Sequence, residues 1–534
     1  MTRTLPWRRA PHVLVPARPE LPRRAAAGTR AVVVGGGIAG ISAATVLAER
    51  GVAVTVLEAA GHLGGRLGAW SHTLADGSEQ VVEHGFHAFF RHYDTWRSIL
   101  RRIDPGLGFL RPVTGYPVIS RRWPAEDLGN LPAAPPFNLL ALFARSPSLR
   151  LREIAGADAG LGFALLAHSP AETVRRFDDV SAAEFLRRLG VSERARAMLF
   201  EAFARSFFCD QDGLSAAELV SMFHYYFLGN PAGIGFDAPS EDHRTAIWDP
   251  LAAYLGERGA QVRLGARAVG LRRAGETWVV EVEEVVEVED SAGAAAPGGA
   301  GSAGGGAVEA EHVVLALDPG ALRALLAGSP VAPDLARRAA SLQVAPPFAV
   351  SRLWLDRPVG PDRAVFNAVS GEPTLDSVTL YSRLEGESAR WAARTGGEVV
   401  ELHSYACTAP DAASATARMR AELAGLWPET AQARVVDLVE RSEATAPAFP
   451  PGGAGTRPGV LTDAPGIRVA GDFVECPYPS GLMERASMTG VLAANDVLDA
   501  VGAGPEEIRG IAEQGLLAGL PVHRLGSLGR ARGA

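Results

Sequence analysis

The chain has 534 residues, 47% of them apolar and 21% charged, enough to bury a full core in two or three domains. A formal charge of -8 leaves no excess of cation to displace phosphate counterions, so nucleic acid is not an expected partner. Cys209, Cys407 and Cys476 lie far apart with no CxxC pair, which argues against a disulfide framework or a zinc site and favours a reducing, cytoplasmic setting.

Residues 1–29 carry Arg3, Arg8, Arg9, Arg18, Arg23 and Arg24 against a lone Glu20. That composition predicts a disordered basic arm, with attraction to anionic lipid as the alternative. Residues 31–35 then read as a buried strand, Ile38 to Arg50 as a helix and Ala53 to Leu57 as a second strand ending at Glu58, the opening of a βαβ unit. Gly35-Gly36-Gly37-Ile38-Ala39-Gly40 places GxGxxG between the first strand and the helix, the context that motif requires. Gly35 permits the tight turn, Gly37 lets a pyrophosphate approach the backbone, and Gly40 lets helix pack on strand, while Ile38 and Ala39 open a helix whose free N–H groups face the anion. Glu58 is placed to accept ribose hydroxyls. NAD and FAD both satisfy this unit; its continuation through Gly64-Gly65-Arg66 adds a close approach and a charge-assisted phosphate contact.

Helical patterns dominate from Phe90 to Leu228, interrupted by the proline-rich Leu131 to Pro136 and the apolar Phe137 to Ala144. No apolar run reaches the ~18 residues of a membrane span. Pro136 to Arg145 suits either shallow insertion, with Arg145, Arg150 and Arg152 near headgroups, or a buried helix. The aromatic run Met222 to Phe227, with Phe207 and Phe208, reads as core, as the lining of an apolar tunnel, or as both. Strands are expected at Gln261 to Leu264, Thr277 to Val282, Val313 to Leu317, Ala349 to Leu355 and Val399 to Tyr405, with a flexible Gly/Ala loop at Ser291 to Gly306 and a helix at Ala412 to Leu426. Near the end, Ile467 to Asp472 reads as a strand delivering an acid, and Pro479-Ser480-Gly481-Leu482-Met483-Glu484 opens a helix towards Leu498. Such a return supplies an acceptor for a ribityl chain in Asp472 and a helix N-terminus for a reduced flavin's charge; taken alone, Gly471-Asp472 is equally an ordinary turn and N-cap.

Together, GxGxxG, EAxxxxGGR and the C-terminal AGD...PSGLMERAxxxG resemble the flavin amine oxidase and carotenoid desaturase superfamily across nearly the whole chain. The segment Glu83-His84-Gly85-Phe86-His87-Ala88-Phe89-Phe90 resembles the plant-type desaturases, and the fuller run EHGFHAFFRHYDTW the carotenoid phi-ring synthases. The resemblance implies an α/β fold: a glutathione-reductase-type, Rossmann-like FAD-binding domain with an inserted α+β substrate domain. It would divide the chain into a discontinuous FAD domain (30–90, 240–340 and 440–502), a substrate- and membrane-facing domain (91–239 and 341–439) and a tail (503–534). It assigns Gly35, Gly37, Ile38, Ala39, Gly40, Glu58, Gly64, Gly65, Arg66, Gly471, Asp472 and Met483 to FAD, and makes Val269 the residue whose backbone meets the adenine.

All 52 basic residues are arginine. Amine oxidases of this superfamily usually hold a lysine beside the flavin, so amine oxidation becomes the less favoured branch, with porphyrinogen oxidation and a flavin-free prenyl-protein escort as further alternatives. The resemblance implies instead desaturation of a carotenoid drawn from a membrane surface, with aromatisation of a beta-ring by a 1,2-methyl shift. The terminal electron acceptor stays open. Glu83 and His87 are the candidates for proton handling, the alternative being that both simply hydrogen-bond at an interdomain seam. A metal at His84, His87 and His92 is not expected, because no ligand geometry or paired acids accompany them.

Overall fold

The computed structural model describes residues 11–129, 131–132, 137–150, 156–230, 234–285, 306–515 and 518. Arg3, Arg8, Arg9, Pro136, Arg152, most of the Gly/Ala tract and residues 519–534 lie outside the described residues.

Short strands build a five-stranded parallel sheet in the order Gln261–Arg263, Ala53–Leu57, Arg30–Val34, His312–Leu315, Ile467–Val469. Parallel strands need both faces covered. On one face the helix Ile38–Glu49, buried from Ile38 to Ala48, packs on the C-terminal helix Leu482–Ala500. Small residues permit that approach: Ser42 and Ser487 hydroxyls meet at 2.9 Å, and a side chain at Gly490 would overlap the Ala39 carbonyl. The other face is covered by the antiparallel sheet Ala266–Ala274, Thr277–Glu284, Gly306–Ala310 and by the helices Pro319–Ala327 and Pro333–Ser341. This is the expected α/β architecture, with its sheet drawn from three distant stretches.

A second sheet of seven strands runs Val435–Glu443, Phe348–Leu355, Glu398–Ser404, Ser377–Leu380, Phe366–Val369, Pro117–Ile119, Glu126–Asp127. Residues 440–443, expected with the FAD domain, therefore belong to this other layer. The stretch expected to be helical from Phe90 to Leu228 contributes strands at Leu110–Pro112, Pro117–Ile119 and Glu126–Asp127; at two or three residues each, they are too short to leave a period in the sequence.

The expected arm and tail are corrected in part. His12–Val15 pairs antiparallel with Ile508–Gly510, and Leu14 and Val15 pack against the main core. A short apolar run inside a basic segment is enough to tie residues 12–15 to 508–510, whereas composition averaged over the segment conceals it.

Candidate active site

The N-terminal constellation folds as one cradle. Gly35 holds a φ of +108°, and its N–H donates to the Leu57 carbonyl at 2.8 Å. Glu58 turns back on the same loop, its two carboxylate oxygens accepting the N–H groups of Gly36 at 2.7 Å and Ala60 at 2.8 Å. Gly64 donates to the Gly36 carbonyl at 3.0 Å and bridges Gly37 in parallel register, with φ values of +119° and +53° at Gly64 and Gly65. No side chain caps the helix that begins after Gly37, so the leading N–H groups at Ile38, Ala39 and Gly40 remain for an anion.

The C-terminal constellation meets it. Arg66 donates to Asp472 at 2.7 Å across 406 positions of sequence, joining the two stretches that the sequence sets at opposite ends. Met483 lies in the first turn of the Leu482–Ala500 helix, which also has no side-chain cap. Leu482 itself sits at φ +49°, a conformation that costs a branched residue roughly 1–2 kcal/mol and tends to persist where function requires it. Gly471 donates to Thr489 Oγ1 at 3.0 Å, fixing strand end to helix. Val269 sits at a bulge in the Ala266–Ala274 strand, 43% exposed and with its carbonyl near Gly328.

The resident group these residues fit is a dinucleotide: glycines where side chains would obstruct, two uncapped helix N-termini, an acid at the end of the second strand, and an arginine beside the crossing.

Glu83 follows from the same loop. It closes a hairpin with Ala69–Thr73, pairing across to Ala69 three residues beyond Arg66. Its carboxylate is fully engaged: Oε1 accepts the His243 backbone N–H at 2.8 Å, and Oε2 accepts Arg352 at 3.2 Å and the Tyr381 hydroxyl at 3.1 Å. Arg352 also donates to Glu401 at 2.9 Å, while Glu401 accepts the Phe86 N–H at 2.7 Å and bonds His403 at 2.7 Å. Gly85, at φ +113°, is required because a Cβ there would meet the His403 ring at 2.7 Å. The seam-holding arrangement is thus what the geometry of Glu83 displays.

His87 differs. Its Nδ1 lies 2.8 Å from the Gly85 carbonyl; a carbonyl only accepts, so Nδ1 carries the hydrogen and Nε2 keeps its lone pair. Burial, reinforced by the neighbouring His243, holds His87 down to about 3, so the ring is neutral at physiological pH. Glu83, His87, His243 and Tyr381 border a cavity with room for about one water. His84 instead contacts Glu443 at 3.1 Å, and His92 bonds Asn230 at 2.7 Å. Among the described residues no group of three or more His, Cys, Asp or Glu is arranged around a metal position.

Sequence reasoning missed Arg352, Glu401, Tyr381 and His243. One signal existed: Arg352 and Glu401 each stand beside apolar residues in buried strands, and they are direct cross-strand partners. Opposite charges on two buried strands are a pairing cue.

Burial lifts Glu83 to about 7 although Arg352 opposes it, whereas Arg352 and His403 pull Glu401 down to about 2 against its own burial. One guanidinium serves two carboxylates, and Glu83 is the member left to titrate. A folded-state value above the ordinary 4.5 means that bound proton stabilises the fold fully at low pH, and the contribution is lost as pH rises towards 7. Glu83→Gln lacks this proton. Its stability relative to wild type is therefore expected to improve from about pH 4.5 to about pH 7 and then to level off, as read by urea denaturation across that range; a relative stability that worsens with rising pH would refute the assignment.

Comparison with known proteins agrees with this geometry. Residues 38–498 match the family model for flavin containing amine oxidoreductase. The chain is 43% identical to the carotenoid phi-ring synthase of Streptomyces griseus over 476 residues, 88% of each chain, and 28% identical to that of Chlorobaculum tepidum over 90% of each. In fold it is similar to putrescine oxidase bound to putrescine (TM-score 0.61, 17% identity, 88% of this chain and 99% of that one). It is also similar to a putative protoporphyrinogen oxidase from Exiguobacterium (TM-score 0.57, 16% identity, 88% and 99%). With two helix starts joined through Arg66 and Asp472, and the family match running from the first helix almost to the end of the second, the chain belongs to the flavin-containing amine oxidoreductase family and is an FAD-dependent oxidoreductase.

Proposed function

We propose that this enzyme desaturates a carotenoid and aromatises its beta-ring with a 1,2-methyl shift. The observation that carries the reading is likeness along nearly the whole chain to two proteins named carotenoid phi-ring synthase; the seating of Glu83 to His87 directly beyond the Arg66 turn supports it. Aromatising one ring removes two hydrides and two protons, and one methyl leaves the quaternary carbon for its neighbour. FAD, when bound, would supply the hydride acceptor for each removal in turn, an external electron acceptor reoxidising it between the two. Gly35, Gly37, Gly64 and Gly65 hold the dinucleotide against the two helix starts, Glu58 takes its ribose, and Asp472 its ribityl hydroxyls. His87 Nε2 accepts the proton lost after methyl migration; the cation releasing it is so strong an acid that a buried, weakly basic imidazole suffices. Glu83 and Arg352 hold the segment that aims His87.

Aromatic side chains supply the path and the water exclusion. Met222, Tyr225 and Tyr226 are buried, and the rings of Phe223 and Phe227 stack at 4.8 Å. A Cβ on Gly481 would lie 2.8 Å from Met222 Sδ and 3.4 Å from the Tyr226 hydroxyl, so this aromatic segment abuts the flavin-side turn. Its other end reaches the helix Phe137–Arg145, where Asn138 donates to the Phe227 carbonyl at 2.7 Å. That helix exposes Phe137, Leu140 and Phe143 by 62%, 61% and 48%, one apolar face at i, i+3 and i+6. In our reading this face enters the membrane surface and admits the polyene. No helix among the described residues is long and apolar enough to cross a membrane, which leaves shallow insertion as the mode.

Expression in a beta-carotene-producing host tests the chemistry: aromatic end groups are expected in the pigment, and an unchanged profile from flavin-loaded protein would overturn it. For the membrane face, wild type is expected to float with anionic vesicles, and the triple change of Phe137, Leu140 and Phe143 to serine to lose at least roughly tenfold in partition while keeping its flavin. Equal flotation of both proteins would remove the face from the proposal.

A further inference from the structure

Three charged side chains are packed behind the flavin-side turn, and the chemistry above uses none of them. Arg485, in the Leu482–Ala500 helix, donates through Nη2 to Glu218 at 2.6 Å, through Nε to the Ser480 carbonyl at 3.1 Å and through Nη1 to the Asp472 carbonyl at 3.4 Å. One guanidinium thus ties both ends of the 472–480 turn to the helix Ala216–Phe223, which carries Glu218. Arg457 approaches the other oxygen of Glu218 at only 3.9 Å, and its Nε and Nη1 are buried with no hydrogen-bond partner among the described residues. The guanidinium carbons of Arg457 and Arg485 each lie 5.2 Å from the Phe449 ring centre, so the two cations share an apolar floor.

The local charges do not balance. Asp472 is neutralised by Arg66, and Glu218 is shared between Arg485 and the more distant Arg457, two guanidiniums to one carboxylate. Of the other acids that act on Arg457, Glu475 is exposed, and Asp178, which accepts the Ser215 hydroxyl at 3.0 Å and the Ala454 N–H at 3.1 Å, acts from a distance and makes no direct ion pair with it among the described residues. Burial lowers the proton affinity of Arg457 against the pull of Glu218, as expected of a cation short of partners. A largely buried cation that only shares a distant carboxylate is costly, and an excess of cation near a cofactor that gains negative charge on reduction would offset that cost in the reduced state.

We propose that Arg457, Glu218 and Arg485 form an electrostatic site that favours the reduced, anionic flavin and so sets its reduction potential. The inference rests on the assignment of the 471–483 turn to FAD. Its test is the midpoint potential of purified, FAD-loaded protein, measured by dye equilibration, with bound flavin quantified by absorbance. Arg457→Met is expected to lower the potential and Glu218→Gln to raise it, each changing the reduced-to-oxidised ratio about tenfold, or about 30 mV for a two-electron couple. Arg457→Lys keeps the charge and is expected to stay near wild type. Opposite signs are the signature, because a merely structural role loosens the turn in both variants and moves both in one direction. Shifts of the same sign, or unmoved potentials with flavin still bound, would overturn the proposal. Should Glu218→Gln not fold, the contrast between methionine and lysine at 457 decides alone. A wild type that takes up no FAD would instead sink the cofactor assignment, a result distinct from flavin-loaded variants with unchanged potentials.

Discussion

Arg352→Met is expected to destabilise the fold by about 3–5 kcal/mol, the cost of leaving buried carboxylates without their cation. Arg352 serves Glu83 at 3.2 Å and Glu401 at 2.9 Å, donates to the Val81 carbonyl at 3.3 Å and lies over the Tyr381 ring at 3.8 Å. All three charged side chains are at most 3% exposed, so water cannot replace the lost partner. Glu401 then becomes an anion with only His403 and a backbone N–H to answer it, and the 83–87 segment loses its tether. Chemical denaturation of FAD-free protein reads the effect. The triple variant Arg352→Met, Glu83→Gln, Glu401→Gln is expected to recover most of the loss, because removing every member of a buried ionic group costs far less than removing one. If Arg352→Met unfolds within about 1 kcal/mol of wild type, the network contributes no more than a typical surface ion pair, and its role in aiming His87 falls with it.

What the sequence made legible was local. The helix Ala412–Leu426 and the strand Ala53–Leu57 match their expected bounds, because periodicity and end signals act within one element. The glycine positions were readable for the same reason, since a turn between strand and helix demands them whatever lies elsewhere. Partnership was not readable. Arg66 finds Asp472 across 406 residues, and Arg352 finds Glu83 across 269; nothing in either neighbourhood names the other. Glu83 was legible as a marked residue but not its surroundings: a motif singles it out, and only the fold shows which groups meet its two oxygens. The Phe137–Arg145 helix was open between shallow membrane insertion and a buried domain helix; the fold buries Asn138 and leaves Phe137, Leu140 and Phe143 exposed, which speaks against full burial and leaves insertion to the vesicle test. The polar residue faces the protein there, an inversion that an argument from amphipathicity alone does not anticipate.

Gly37→Ala is expected to leave the FAD-free protein as stable as wild type and to weaken FAD binding by about 10–100-fold. Neighbouring glycines cannot separate these effects. A Cβ on Gly35 would overlap the Ala316 carbonyl, and one on Gly40 the Gly35 carbonyl, so alanine at either position damages the turn before any ligand is considered. Gly37 is different: its φ of -78° is ordinary for alanine, and the nearest atom to an added Cβ is the Gly64 carbonyl oxygen at 3.9 Å. The protein therefore has space for the methyl group. The dinucleotide does not, if its pyrophosphate passes against this backbone, because overfilling a close contact costs about 1–3 kcal/mol. Titrating FAD into apoprotein by flavin fluorescence, beside urea denaturation of the same apoprotein, reads both halves of the expectation. Wild-type affinity in the alanine variant would mean that the pyrophosphate does not run over Gly37, and the cradle built from residues 35–40 and 64–66 would have to be redrawn around another path.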